Sequence, residues 1–286
     1  MSHERFQRIA VVGLGLLGGS LVQSIRRIMP ERTLIGVDYP EVLERARTFL
    51  DEAHTPAQLA IAVRKADLVF LATPISIILQ TLPTVANMVP HGAVVTDVGS
   101  TKRVVAELAQ NCFAGERFFI GGHPMAGREK GGWENATDRL FENSAYVLTP
   151  SPNFPAAPLT ALQDLLRTLG AHTMLLEAEE HDRIAAEISH MPLLLALALT
   201  NFIARPGVTS EPRVQMAAGG FRDMTRIAAS PFAIWRDILH TNHANVRHAL
   251  QEFILTLQQL AQDLEREELD ATFQHAHELR QKLLRS

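Results

Sequence analysis

Short, unbroken apolar runs alternate with amphipathic segments through the first half of this chain, and that alternation restricts the fold more than any other feature. RIAVV (8–12), TLIGV (33–37), DLVFLAT (67–73), AVVTDVG (93–99) and RFFIGG (117–122) are rich in β-branched and aromatic residues. Strands without polar alternation are buried on both faces, as in a parallel sheet covered by helices on either side. Between them LLGGSLVQSIRRI, PEVLERARTFL, SIILQTLPTVANMV and TKRVVAELAQ follow a helical period. SAYVLTP (144–150) and HTMLLEA (172–178) read as further strands, separated by the helical PLTALQDLLRTLG. The pattern predicts an α/β N-terminal Rossmann domain with a mostly parallel, doubly wound sheet. Ligands of such sheets lie beyond the carboxyl ends of the strands.

Near residue 178 the strand signals stop. The sequence therefore divides into a dinucleotide-binding domain over 1–178 and an all-α domain over 179–286. HDRIAAEISHMPLLLALALTNFIAR reads as one long helix bent at Pro192, and ARPGVTSEPR (204–213) as the clearest loop of this half. The helix around 184–203 is apolar on nearly every face, so it must be covered. The helical half alone is thin for that task, which predicts a homodimer.

Several classes are disfavoured. The net charge of −4 argues against a nucleic-acid binder. MPLLLALAL (191–199) is about half of the roughly 20 residues that a membrane span needs. MSHERFQR carries no signal-peptide pattern, so a cytoplasmic protein is expected. A single cysteine, Cys112, excludes a disulfide framework and a thiolate cluster and reads as a small buried apolar residue. His240, His243, His248, His275 and His277 have no carboxylate-rich partner at ligand spacing, so no metal site is expected. The chain ends soon after the helical half, so neither a separate regulatory domain nor a fused chorismate mutase is expected within it.

GLGLLG, spanning Gly13, Leu14, Gly15, Leu16, Leu17 and Gly18, matches G-x-G-x-x-G. The motif alone is weak, but here it follows a strand, opens a helix, and precedes Asp38 at the end of the second strand. Gly13 permits the tight turn, Gly15 lets the backbone approach a pyrophosphate, and Gly18 lets helix and strand pack closely. The helix N-terminus offers unpaired N–H groups to the phosphates. Asp38 would accept hydrogen bonds from ribose hydroxyls and repel a 2′-phosphate, so NAD is preferred over NADP. Thr73 and Pro74, after the third strand, are placed on the nicotinamide side.

GGHPMAGREKGG (121–132) gathers five glycines around one imidazole. It puts His123 just past the fifth strand, while DVGSTK (97–102) puts Ser100 just past the fourth. Both point toward the nicotinamide crevice. An imidazole there can take a hydroxyl proton as hydride leaves the same carbon. Ser100 orients either the imidazole or the substrate hydroxyl, or serves only as a helix cap.

GLGLLGGSL, DVGSTK, GGHPMAGREKGG, SHMP and GGFRDMTRIA, in this order and spacing, resemble the prephenate dehydrogenase family over essentially the whole chain. The resemblance implies a Rossmann domain joined to a helical dimerisation domain. It implies NAD-dependent oxidative decarboxylation of prephenate to 4-hydroxyphenylpyruvate in tyrosine biosynthesis, or an arogenate-preferring or dual-specificity cyclohexadienyl dehydrogenase. By the same resemblance His123 is the catalytic histidine at the substrate's ring hydroxyl, and Ser100 contacts both that histidine and the substrate. His190 lines the substrate pocket, Arg226 binds a substrate carboxylate, Gly219 lines the pocket, and Trp235 borders the neighbouring subunit's active site. A dicarboxylate needs cationic anchors, and Arg222 falls on the same face as Arg226 if the segment is helical. A β-hydroxyacid dehydrogenase usually relies on a catalytic lysine in the helical domain, for which the sequence offers no good candidate. A non-catalytic NAD sensor would have no use for His123, Ser100 and Arg226 together.

Overall fold

The computed structural model describes residues 2–127, 130–205 and 211–284. Among them one sheet runs in the order β3-β2-β1-β4-β5-β6-β7-β8. β1 (Arg8–Val12), β2 (Thr33–Val37), β4 (Leu68–Leu71) and β5 (Val94–Asp97) coincide with the apolar runs, and all are parallel. Their side chains pack on both faces, with Ile9, Leu34, Leu68 and Val94 fully covered. The sheet core thus fills from the two helical layers that the apolar runs require.

α1 (Leu16–Ile28), α2 (Pro40–Ala46), α3 (Leu59–Val63), α4 (Ile75–Met88) and α5 (Arg103–Cys112) are the crossovers. One strand is absent from the sequence reading: β3 (Glu52–His54), a short edge strand paired with Ile35–Val37. Its EAH sequence is half-exposed and polar, so no apolar run announces it. Cys112 ends α5 half-buried rather than sealed in the core.

β6 differs from its expected end. It runs Phe118–Pro124, so His123 lies within the strand, not past it. The extension comes from β7 (Ala145–Thr149), which pairs antiparallel with Gly121–Pro124 and places Val147 opposite His123. α6 (Ala156–Thr168) leads to β8 (His172–Leu175), parallel to β7.

The remaining described residues are helical. α7 (Ala178–Ala185) passes into a π turn (Ala186–His190) and then into α8 (Met191–Ile203). The irregularity therefore precedes Pro192 instead of being a bend at it. Proline has no N–H for a carbonyl one turn back, and a widened turn absorbs that loss. Of the expected loop 204–213, residues 206–210 lie outside the described residues, and Glu211 already opens α9 (Glu211–Met216). α10 (Gly219–Thr225), α11 (Phe232–Thr241), α12 (His243–Glu265) and α13 (Asp270–Leu283) complete the chain.

Residues 178–203 form a stretch long and apolar enough, by length and composition, to cross a bilayer, longer than the run at 191–199 alone suggests. Its polar groups have other commitments. Asp182 caps α5 through the amides of Lys102 and Arg103, at 2.6 and 3.0 Å, and so ties the helical half to the sheet. Thr101–Thr241 and Ser76–Asp237 hydrogen bonds add to that seam.

Candidate active site

The glycine turn builds a cradle at the carboxyl end of β1. Gly13 has φ +90°, and a Cβ there would lie 2.6 Å from the Ala72 carbonyl oxygen. At Gly18 a Cβ would fall 1.8 Å from the Gly13 carbonyl oxygen, so helix and turn touch backbone to backbone. Gly15, by contrast, faces open space, with nothing within 4 Å of a Cβ. The first turn of α1, with Leu16 and Leu17, carries no acidic residue beside its unpaired N–H groups. An open backbone surface before a helix N-terminus fits a dinucleotide pyrophosphate. Asp38 follows β2 and accepts the Leu14 amide at 2.6 Å and the Tyr39 amide at 2.7 Å. Thr73 packs its methyl against Gly13, and its buried hydroxyl has no partner among the described residues. Pro74 caps α4 beside it.

A cavity of about 380 Å³ opens next to this cradle, with Leu17 and Val98 in its wall. Ser100, His123, Ser189, His190, Arg226 and Trp235 line it. Five of these, all but Ser189, were singled out in the sequence, from segments spread over more than 100 residues. Gly122 must be small, because a Cβ would stand 2.5 Å from the Asp97 carbonyl oxygen. That close approach of β5 and β6 is why glycine precedes His123. Below it, Lys102 is 1% exposed and pairs with Asp97, while also donating to the Gly122 carbonyl at 2.7 Å. Asp97 in turn accepts the Gly122 amide at 3.1 Å and the Gly99 amide at 2.9 Å. Burial pushes the Lys102 ammonium pKa down, and Asp97 opposes that loss.

His123 is 8% exposed. Its Nδ1 lies 2.8 Å from Nε2 of His181, whose own Nδ1 lies 2.8 Å from Oδ1 of Asp182. The partner of this imidazole is therefore His181 and not Ser100, which shares the cavity. Sequence reasoning missed His181 and Asp182. Their one signal is the dipeptide HD, two ionisable groups on α7, the first helix after the last strand. Burial drives the His123 pKa well below the ordinary histidine value, and the nearby basic groups His181, Lys102 and His190 push the same way. The ring is thus neutral near pH 7.

His190, 1% exposed, sits at the end of the π turn. Its Nδ1 lies 3.2 Å from the Asn242 side-chain nitrogen. Burial lowers its pKa to about 4 against the opposing pull of Asp182. Trp235 meets the His190 ring edge-on with centroids 6.0 Å apart, so it lines this chain's own cavity rather than only a neighbour's. Arg226 brings a guanidinium to the rim. α10 ends at Thr225 and Arg226 begins a 3-10 turn, so Arg222 and Arg226 do not share one helix. Arg222 and Gly219 are exposed on α10 and are not among the lining residues.

Comparison with known proteins places the chain in a family. Residues 21–175 match the family described as prephenate dehydrogenase, nucleotide-binding domain, and residues 177–278 match prephenate dehydrogenase, dimerization domain. The chain is 36% identical over 260 residues to a prephenate dehydrogenase of Lactococcus lactis subsp. cremoris, covering 89% of this chain and 70% of that protein. The crystal structure of prephenate dehydrogenase from A. aeolicus in complex with hydroxyphenyl propionate and NAD+ superposes with a TM-score of 0.86. It is 30% identical and covers 98% of both chains. The Synechocystis arogenate dehydrogenase structure gives 0.83 at 33% identity, over 96% of this chain and 99% of that one.

Proposed function

Because this chain belongs to the prephenate dehydrogenase family, we propose that it oxidises prephenate with NAD, releasing CO2 and NADH and leaving 4-hydroxyphenylpyruvate. The observation that carries the reading is the neutral, buried imidazole of His123 in a cavity that joins a dinucleotide cradle to a guanidinium.

When bound, NAD supplies the acceptor for hydride from the substrate's hydroxyl-bearing ring carbon. Gly13, Leu14, Gly15, Leu16, Leu17 and Gly18 would hold its pyrophosphate, Asp38 its ribose, and Thr73 and Pro74 its nicotinamide side. His123 takes the hydroxyl proton on Nε2 as the carbon is oxidised to a dienone. The bond to the ring carboxylate then breaks, its electron pair enters the ring, and CO2 leaves. The oxygen becomes a phenolate, and the imidazolium can return the same proton to it. Aromaticity makes the sequence effectively irreversible.

Arg226 anchors a substrate carboxylate through charge-assisted hydrogen bonds, for which a planar guanidinium is better shaped than an ammonium. A dianion seated beside His123 raises the affinity of the buried ring for a proton, which offsets the depression caused by burial. Ser100 orients the substrate hydroxyl, and His190 contacts the ring substituents. Arg222 and Gly219, exposed in the single chain, belong to the substrate site only as its outer support.

We also propose a cytoplasmic homodimer. Phe202, Ile254, Leu255, Leu257 and Phe273 expose apolar surface on the part of the chain that matches the dimerization domain. An apolar surface of that kind on helices is the usual mark of a partner subunit. A second reading, activity on arogenate, is favoured by the 33% identity to the Synechocystis arogenate dehydrogenase. Following NADH absorbance with prephenate and arogenate separately, each with NAD and with NADP, decides between them. Turnover of neither substrate would contradict the proposal.

A further inference from the structure

His123 and His190 line one cavity, but their hydrogen bonds assign them opposite chemistry. The assignment starts at Asp182, which is 0% exposed. Its carboxylate accepts two backbone amides, Lys102 N at 2.6 Å on Oδ1 and Arg103 N at 3.0 Å on Oδ2. Backbone amides can only donate, so both carboxylate oxygens act as acceptors. The Nδ1 of His181, 2.8 Å from Oδ1, must then carry a hydrogen. A neutral imidazole that donates from Nδ1 has its lone pair on Nε2, so His181 presents an acceptor there. Facing it at 2.8 Å, Nδ1 of His123 has to be the donor. That leaves the His123 lone pair on Nε2, the ring nitrogen with no hydrogen-bond partner among the described residues.

A second branch leaves the same residue through its backbone. The Asn242 side-chain oxygen accepts from Asn245 at 2.9 Å, which fixes the orientation of the amide. The Asn242 nitrogen therefore faces the Asp182 carbonyl at 2.6 Å and His190 Nδ1 at 3.2 Å. An amide nitrogen donates, so Nδ1 of His190 accepts and the ring's hydrogen resides on Nε2. That Nε2 is buried with no partner among the described residues. A donor sealed in this way needs an acceptor, and an anionic or carbonyl oxygen of the ligand would supply it.

We propose that His181, Asp182 and Asn242 are positioning residues that lock the two cavity histidines in opposite tautomers, His123 as proton acceptor and His190 as hydrogen-bond donor. This role rests on the functional reading above for its purpose, but not for its geometry. In the serine-protease triad a buried carboxylate fixes the tautomer of one imidazole. Here one aspartate serves two imidazoles, the first through an intervening His181 and the second through Asn242.

The direct test is long-range proton–nitrogen NMR on the full-length protein with labelled histidines near neutral pH, assigned with His123→Asn and His190→Asn. The expected spectra show His123 with its proton on Nδ1 and His190 with its proton on Nε2. A His123 proton on Nε2 overturns the proposal. The measurement uses no substrate, so it stands or fails apart from the choice between prephenate and arogenate.

Kinetics give a second arm. His181→Ala should lower kcat by about 100-fold with KM for substrate changed little, and added imidazole should restore part of the loss. His181→Gln, which can accept from His123 and donate to Asp182, should retain more activity than the alanine variant. Asn242→Asp removes the donor to His190 and should raise KM about tenfold while kcat changes less. An unchanged kcat in His181→Ala, or a loss that neither imidazole nor glutamine recovers, counts against the relay.

Discussion

The carboxylate of Asp38 accepts the Leu14 amide at 2.6 Å and so latches the end of β2 to the glycine turn. The residue thus has a structural role beside the ribose contact proposed for it. Asp38→Asn keeps one acceptor oxygen for the turn but loses the charge that repels a 2′-phosphate. It should raise KM for NAD by about tenfold, the size of one or two lost charge-assisted bonds, and should narrow the preference over NADP. Steady-state KM values for both cofactors check this.

Two glycines of the same turn separate folding from binding. Gly18→Ala forces a Cβ to 1.8 Å from a backbone carbonyl and should destabilise the protein by several kcal/mol or prevent folding. Gly15→Ala meets nothing within 4 Å and should leave Tm within a few degrees of wild type. The same methyl group occupies the cradle, so NAD binding, followed by calorimetric titration, should weaken by at least tenfold. Undiminished binding in Gly15→Ala would place the pyrophosphate elsewhere.

If the Arg226 guanidinium holds a carboxylate remote from the reacting carbon, as proposed, Arg226→Ala should raise KM for the substrate about 10- to 100-fold and lower kcat much less. Arg222→Ala, changing an exposed side chain outside the cavity lining, should have a smaller effect on KM. Parallel initial-rate measurements on the two variants compare them directly.

Acid should destabilise the fold in a defined window. An unfolded histidine protonates near pH 6.5, whereas burial lowers folded His190 to about 4 and folded His123 well below 6.5. Between those values the unfolded chain binds protons that the native state refuses, so stability falls as pH drops from about 6.5 toward 4. Above about 6.5 these two residues contribute no pH dependence. The His190 part approaches about 3 kcal/mol near pH 4. Thermal unfolding across this range should show a declining Tm, with a shallower decline in His190→Asn.

The β–α framework was legible because RIAVV, TLIGV, LVFL and AVVTDV each hold a short apolar run without polar alternation, a pattern dictated by burial on both faces. The cradle was legible because Gly13, Gly15, Gly18 and Asp38 are local, bound to one turn. What escaped notice depends on distant partners. β3 has three residues and no apolar run. His123 extends β6 only because β7 returns antiparallel beside it. The His123–His181 bond joins residues 58 positions apart, and Asn242 reaches Asp182 across 60. Nothing in the neighbouring letters encodes such pairings. The π turn at 186–190 likewise arises where Pro192 and the buried His190 must both be accommodated.

The central claim, that His123 accepts the substrate's proton, is tested most directly by His123→Asn, which keeps the size and polarity of the site but removes the base. NADH formation from prephenate and NAD should fall about 1000-fold in kcat at unchanged KM, with the fold intact. A variant that turns over at close to the wild-type rate would contradict it.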